Sequence, residues 1–382
     1  QASWLGYLNS TGLAAMDYYL ADSALLPPGQ FDQQFSEKLV QLPVNAPFEP
    51  HPHAPAVNTL PALQHGTLTF GCFNRPTKIT RTAVKQWAAL MQAYPGSRMV
   101  LGGMGEAGSY AHLQDWFTEA GITADRLSFF PRTDMAGYLQ QYHLVDVCLD
   151  TFPSNGVTTT AHALWMGVPT LCVAGDRLAS RGAMALMQHL GLQDWVADQP
   201  QHLLQQAHLV LSDLHALAAL RAQLRTRFAG SALSQAAPLA HALSQALRQM
   251  WQHWCQGQAA TSFSISSIYP VTPVTKTSDK GHSMNTTLNP TPQANELKDS
   301  IAEVFQLAVQ MQEKGESAQA MGLYQEILNI DAKHAPTYFQ LGVLATQTGK
   351  TTDALPLLEQ AVILAPQQAA YWQAYIEVLS LT

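Results

Sequence analysis

Leu144-Val-Asp-Val-Cys-Leu-Asp-Thr-Phe-Pro-Ser-Asn-Gly-Val-Thr-Thr-Thr-Ala-His-Ala-Leu-Trp-Met-Gly-Val168 is the stretch whose reading decides the fold. The apolar run from Val145 to Leu149 is too short for a helix of its own and stops at Asp150, so it reads as a buried parallel strand. Pro153, Ser154, Asn155 and Gly156 then mark a turn, and from Thr158 the spacing of Ala161, Leu164 and Trp165 marks the apolar face of a helix. A helix entered through Gly156 and Thr158-Thr-Thr160 offers free backbone N–H groups, a positive dipole end and three hydroxyls, all of which suit a phosphate group. The alternative is that the threonines merely cap the helix.

Outward from this stretch a regular alternation predicts strands at Thr67–Phe73, Arg98–Leu101, Leu127–Phe130 and Thr170–Ala174. Helices are predicted around Arg81–Ala93, Tyr110–Ala120 and Met135–Tyr142, and from Leu178. Continuous apolar strands and amphipathic helices, as at Val84, Trp87, Leu90 and Met91, call for a parallel sheet covered on both faces: an α/β, doubly wound, Rossmann-like domain. Ligands of such sheets bind at the carboxyl ends of the strands, where Lys78, Arg132 and the Thr158 turn are expected to converge. Gly103-x-Gly105-x-x-Gly108 satisfies half of a dinucleotide fingerprint. The next strand ends in Pro131 and Arg132 rather than in an acidic residue for a ribose, which leaves a nicotinamide dehydrogenase as the runner-up from pattern alone.

Before this domain, residues 1–65 contain strand-like pieces at Trp4–Tyr7 and Tyr18–Ala21, a helix-like stretch around Phe35–Leu42 and Pro-rich text from Pro43 to Pro61. His51, His53 and His65 invite a metal reading, but no carboxylate or cysteine completes a set, and no metal is expected. Helical text from about Pro200 to Cys255 closes the domain. A Ser/Thr/Pro/Gly-rich linker is read over 256–294, with Met284 inside it. Beyond it Leu307 recurs as Leu341, Gly315 as Gly349 and Ala320 as Ala354. With Tyr338, Gly342, Leu358, Ala361 and Pro366 in place, the period is that of tetratricopeptide units, and Trp372 opens a third one. The alternative is an unrelated helical hairpin.

Composition bounds the function. The chain has 382 residues, 47% hydrophobic and 12% charged, with no run of the roughly 20 apolar residues that a membrane span needs. Of the net charge of −7, residues 295–382 carry −6, and no basic surface is left for a nucleic-acid partner. Cys72, Cys148, Cys172 and Cys255 have no Cys-x-x-Cys spacing and read as buried thiols of a reducing cytoplasm. The start, without an initiator Met or basic n-region, reads as neither a signal peptide nor a natural beginning.

Over about residues 4–255 the sequence resembles the family 41 glycosyltransferases, the protein O-GlcNAc transferase and SPINDLY-like family. The resemblance is carried by Trp4-Leu-Gly-Tyr, Thr11-Gly12, Met16-Asp-Tyr18, Ser36-Glu-Lys-Leu39, Phe73-Asn74 and Lys78-Ile79. Further on, Asp146-Val-Cys-Leu-Asp-Thr151, Asn155-Gly156, Thr158-Thr159, Leu164-Trp165, Gly167, Pro169, Leu178-Ala-Ser-Arg181 and Gln249-Met-Trp251 match in the same order. It implies a GT-B fold of two Rossmann-like lobes, with a remnant of the first lobe at 1–65, the UDP-sugar lobe at 66–255, the linker at 256–294 and the repeats at 295–382. It implies inverting, metal-independent transfer of a sugar, N-acetylglucosamine by expectation, from a UDP-sugar to Ser or Thr of proteins recruited by the repeats. The UDP-sugar is a substrate, and no cofactor is implied.

Lys78 looks like the family lysine that neutralises the departing diphosphate, and Thr158 and Thr159 match the pair that binds the phosphates, with Gly156 in the turn before them. Tyr138 stands where the family stacks a histidine on uracil, and Thr133 where backbone groups read the uracil edge. Three positions depart: His162 replaces an aspartate on the ribose, Val157 a histidine beside the phosphates, and Arg75 a glutamine near the leaving group. The family's proposed catalytic histidines are expected upstream of Gln1. The competing expectation is a catalytically idle nucleotide-binding scaffold that works through its repeats.

Overall fold

The computed structural model describes residues 1–6, 8–106, 108–265 and 292–381, so most of the expected linker and Met284 lie outside the described residues. The chain forms two units, Gln1–Val271 and Thr272–Thr382. In chain order the first unit runs β1 (Ala2–Ser3), β2 (Tyr18–Asp22), β3 (Lys38–Leu42), α1 (Pro61–His65), β4 (Thr69–Cys72), α2 (Arg81–Ala93), β5 (Arg98–Met104), α3 (Ala111–Glu119), β6 (Leu127–Pro131), α4 (Met135–Gln141) and β7 (Val147–Leu149). It continues with α5 (Thr158–Trp165), β8 (Thr170–Val173), α6 (Gly182–His189), β9 (Val196–Ala197), α7 (Leu203–Val210), α8 (Leu214–Ala229), α9 (Ala236–Cys255) and β10 (Phe263–Ser264).

The six-stranded sheet has the order β6-β5-β4-β7-β8-β9, and every pairing in it is parallel. From β4 the chain winds outward through β5 and β6, then returns to β7 beside β4 and winds the other way. The topological switch point therefore lies between β4 and β7, and a ligand crevice opens outside their carboxyl ends. Local sequence explains why these elements form. Thr80 caps α2 by accepting from the Ala83 N–H at 3.1 Å, and Val84, Trp87, Leu90 and Met91 bury one face of that helix. Gly71 lets β4 sit close to its neighbour, because a Cβ there would meet Val145 Cγ2 at 2.7 Å. Below β7, Asp146 accepts from the Ala62 and Thr69 N–H groups, both at 2.8 Å, and so joins the starts of α1 and β4.

A second sheet, β1-β2-β3-β10, is also parallel throughout. Three expectations are corrected here. The first strand is Ala2–Ser3, and of the expected strand Trp4–Tyr7 the described residues 4–6 are not strand, Tyr7 lying outside the described residues; Trp4 donates its indole N–H to the Asn45 carbonyl at 3.0 Å. The stretch around Phe35–Leu42 is strand β3 and not a helix, since Leu39, Val40, Gln41 and Leu42 are all buried between β2 and β10, which a one-faced helix does not allow. The first part of the expected linker is folded, with Phe263 of β10 opposite Val40. The two sheets are held together by α6 and the turn before it. Arg181 donates Nε to the Leu25 carbonyl at 2.6 Å and stacks over Phe31, while His189 Nε2 lies 2.6 Å from Asp22 Oδ2.

Of the four free cysteines, Cys72, Cys148 and Cys172 are buried in strands; Cys255, expected to be buried, is exposed at the end of α9. Its helix turns its apolar face, Leu239, Ala242, Ala246 and Met250, the other way.

The second unit consists of α10 (Pro292–Glu313), α11 (Ser317–Ile330), α12 (Ala335–Gln347), α13 (Thr351–Leu364) and α14 (Ala369–Leu381). Both ends of α11 recur 34 residues on as the ends of α13, and those of α12 as the ends of α14. Small residues set the helix spacing: a Cβ on Gly342 of α12 would meet Leu358 of α13 at 2.5 Å, and Ala320 and Ala354 are wholly buried. No helix among the described residues is long and apolar enough to cross a membrane.

Candidate active site

The carboxyl ends of β4 and β7 carry Asn74 and Asp150, one on each side of the switch point. Asn74 donates Nδ2 to Asp150 Oδ1 at 2.8 Å, and the Gly156 N–H donates to the same oxygen at 2.8 Å. Asn74 Oδ1 in turn accepts from the Thr159 hydroxyl at 2.7 Å. A chain of hydrogen bonds thus crosses the crevice from the end of one strand to the first turn of α5. The turn itself is cross-tied: Asn155 donates Nδ2 to the Thr151 carbonyl at 2.9 Å, and Thr151 donates its hydroxyl to the Ser154 carbonyl at 2.6 Å.

Lys78 leaves the short turn Pro76–Lys78 after β4 and donates Nζ to the Asn155 carbonyl at 2.7 Å. Two ammonium protons remain for another acceptor. At the start of α5, Val157 stands at the cap position and supplies no side-chain hydrogen bond, and Thr158 is exposed. The threonines therefore do not cap the helix. The first-turn N–H groups of Thr158, Thr159 and Thr160 have no acceptor within the helix, and an anion beside Lys78 would complete both sets of donors.

The other expected residues fall around this core. Arg75 is exposed at the start of the Lys78 turn. Thr133 is exposed next to Asp134, which caps α4 by accepting from the Gly137 N–H at 2.9 Å. Tyr138, on α4, turns its hydroxyl inward to Tyr142 at 2.6 Å and to His162 Nδ1 at 3.2 Å. His162 lies on the same face of α5 as Thr158 and Thr159, edge-on to Phe48; burial first, then the charge of His51, push its pKa down, so it is neutral at pH 7. Arg132 shares the carboxyl end of the sheet, but on β6, two strands from β4; among the described residues its guanidinium donates to the Gly103 carbonyl at 3.4 Å and not to the Thr158 turn. Among the described residues no three His, Cys, Asp or Glu side chains gather as a metal site. A cavity of about 720 Å³ lies elsewhere, against Met250, Trp251 and Trp254 of α9.

Asn74, Asp150 and Asn155 were not singled out as site residues by the sequence reading. The signal for two of them was present: each is the polar residue that ends an apolar run. Only the strand order shows that those two runs are neighbours.

Residues 56–243 match the profile of glycosyl transferase family 41. The chain belongs to this family. It is 36% identical over 262 residues to an Arabidopsis thaliana protein named probable UDP-N-acetylglucosamine–peptide N-acetylglucosaminyltransferase SPINDLY, a match that covers 68% of this chain and 29% of that relative. A rice protein of the same name is 35% identical over 263 residues, with 68% and 28% covered. The chain therefore spans about three tenths of the length of these relatives. Among solved structures, an O-GlcNAc transferase of Thermobaculum terrenum is 33% identical with a TM-score of 0.60, covering 67% of this chain and 49% of that one. The α/β, GT-B-type expectation is borne out by this likeness, and the helical C-terminal unit follows it in the same chain.

The family 41 cradle makes a prediction at its tightest point. A Cβ on Gly156 would meet Asn74 Oδ1 at 2.6 Å, Thr160 Oγ1 at 3.1 Å and Thr159 Oγ1 closer still. Gly156→Ala is therefore expected to push Thr159 out of place and to weaken the binding of an anion at the first turn of α5, probed with UDP, by about tenfold or more, equivalent to roughly 1.4 kcal/mol. Titration calorimetry checks it, and unchanged affinity would show that the cradle does not hold the ligand.

Proposed function

We propose that the chain is a protein O-GlcNAc transferase-type enzyme that binds a UDP-sugar in the crevice between β4 and β7. The sugar is N-acetylglucosamine and the acceptor a Ser or Thr hydroxyl of a protein. The observation that carries this reading is the ammonium of Lys78, resting on the Asn155 carbonyl beside the open first turn of α5. Supporting it are the printed names of the relatives, which specify UDP-N-acetylglucosamine and peptide.

In the reaction the acceptor oxygen forms a bond to the anomeric carbon from the side opposite the diphosphate, with inversion, and the hydroxyl proton is released to solvent water. The bond from that carbon to the bridging phosphate oxygen breaks, and negative charge grows on the leaving phosphate. Lys78 and the N–H groups of Thr158 and Thr159 are fixed before reaction, and such preorganised donors stabilise developing charge without reorganising. These donors meet the leaving group's charge, and the reading needs no metal there. The helical unit fits the tetratricopeptide period and would recruit the acceptor protein through its concave face. Its place is the cytoplasm, consistent with the free cysteines.

A second reading, a nucleotide-binding scaffold without turnover, is favoured by one feature: His162, standing where the resemblance expects a ribose-binding aspartate, is neutral and engaged by Tyr138. Calorimetric titration with UDP, GDP and NADH tests the site. UDP is expected to bind, more weakly after Lys78→Ala and after the double change Thr158→Ala/Thr159→Ala. No UDP binding by a folded chain would overturn the nucleotide reading. Binding without turnover in the whole protein would favour the scaffold.

A further inference from the structure

Asp150 is buried at the carboxyl end of β7, 8% exposed, and its two oxygens have different surroundings. Oδ1 accepts from Asn74 and from the Gly156 N–H, both at 2.8 Å. Oδ2 is buried and, among the described residues, meets no protein hydrogen-bond donor, and the Thr170 hydroxyl oxygen on β8 is likewise without a protein partner there. Both residues line one cavity of about 10 Å³, together with Cys72, Cys148, Thr159 and Thr160. A carboxylate with one bare oxygen in such surroundings costs more than the neutral acid, whose O–H on Oδ2 forfeits a hydrogen bond but buries no charge. Through Asn74 the same carboxyl is two hydrogen bonds from the Thr159 hydroxyl, and through Gly156 one hydrogen bond from the turn that opens α5.

We infer that Asp150 is a positioning residue for the diphosphate: through Oδ1 it ties Asn74 to the Gly156 turn, and it couples nucleotide binding to uptake of a proton from solvent at Oδ2. The inference rests on the crevice being the nucleotide site. A diphosphate diester carries two charges that do not titrate near neutral pH, and its arrival beside Asp150 favours the neutral acid. Burial already pushes the Asp150 carboxyl up to about 7, against the donors of Gly156, Asn74 and Thr151 and the charge of Lys78, which favour the ionised form. The other titratable groups facing it stay neutral: burial pushes the Cys72 thiol of β4 up to about 12 and raises Cys148 of β7, Cys172 of β8 and Tyr142, which lines the same cavity, well above their usual range. On α5, His162 is shifted down and is uncharged above pH 7. The sign follows. Above pH 7 the free protein holds Asp150 ionised and the bound one takes up a proton, so affinity falls as pH rises, by up to tenfold per unit.

The test is calorimetry of the full chain with UDP-N-acetylglucosamine at pH 7.5 in buffers of different ionisation enthalpy, repeated from pH 6.5 to 8.5. Binding heats that depend on the buffer, with uptake of about half a proton or more, and a declining affinity are expected; Asp150→Asn, which keeps the Oδ1 acceptor, should abolish both. Should that variant not fold, Asn74→Ala removes a donor that favours the ionised carboxyl, and the inflection is expected to move to higher pH. Buffer-independent heats, uptake that persists in Asp150→Asn, or an unmoved inflection in Asn74→Ala would overturn the role of Asp150 alone. Absence of binding at every pH would overturn it together with the nucleotide reading.

Discussion

Lys78→Ala is expected to lower the turnover of UDP-N-acetylglucosamine and a protein acceptor by about a hundred- to a thousandfold, the usual loss when one preorganised donor to developing charge is removed. The effect should fall mainly on kcat, because charge on the bridging oxygen is larger in the transition state than in the bound donor. The fold should survive. Lys78 is half-buried, its side-chain hydrogen bond goes to the Asn155 carbonyl, and the turn that carries this carbonyl is held independently by Asn155 Nδ2 on the Thr151 carbonyl. Initial rates of the whole protein at saturating donor check this, with circular dichroism as the control for folding. An unchanged kcat would remove Lys78 from the reaction and leave the first turn of α5 to stabilise the leaving group alone.

The largest expected loss of stability lies away from the site, at Arg221 of α8. This side chain is 1% exposed. It donates Nε to the Asn58 carbonyl at 2.9 Å, one terminal nitrogen to the Val145 carbonyl at 2.8 Å, and the other to Asn58 Oδ1 at 2.5 Å and the Tyr142 carbonyl at 3.3 Å. Burial lowers its pKa to about 10, which leaves it charged at neutral pH, where it opposes the buried Asp146. Arg221→Ala strips these acceptors of their donor and leaves Asp146 without its cation, so a loss of about 3–5 kcal/mol is expected. Arg221→Lys keeps the charge but not the planar fork and should recover only part of it. Urea denaturation at pH 7 measures both. A loss below about 1 kcal/mol would mean that water replaces the guanidinium freely.

These two residues differ in how far the sequence pointed to them. Lys78 was visible because the apolar run before it ends a strand and because the family match includes Lys78-Ile79. Arg221 sits in helical text with nothing local to mark it, and its three partner segments are the Pro-rich crossing loop, the end of α4 and the approach to β7. The same contrast holds within the site. Gly156, Thr158 and Thr159 follow from the strand-turn-helix pattern; Asn74 and Asp150 acquire their role from standing on adjacent strands, 76 residues apart in the chain.

By itself the sequence determined what periodicity reports: the alternation of strands and helices from Thr67 onward, the 34-residue repeat whose helix ends recur in the second unit, and the turn that opens α5. These are local signals, because the burial of one face of a helix or both faces of a strand is written at fixed spacing in neighbouring residues. Tertiary structure alone decided strand order, and with it the switch point, the Asn74–Asp150–Gly156 bridge and the separation of Arg132 from the cradle. It also decided that Phe35–Leu42 supplies β3 and that Phe263 returns across the chain to pair with Val40. The pairing of β3 with β10, more than 200 residues away, leaves no periodic trace near either strand, since the hydrogen bonds and burial on that side are supplied by a distant segment.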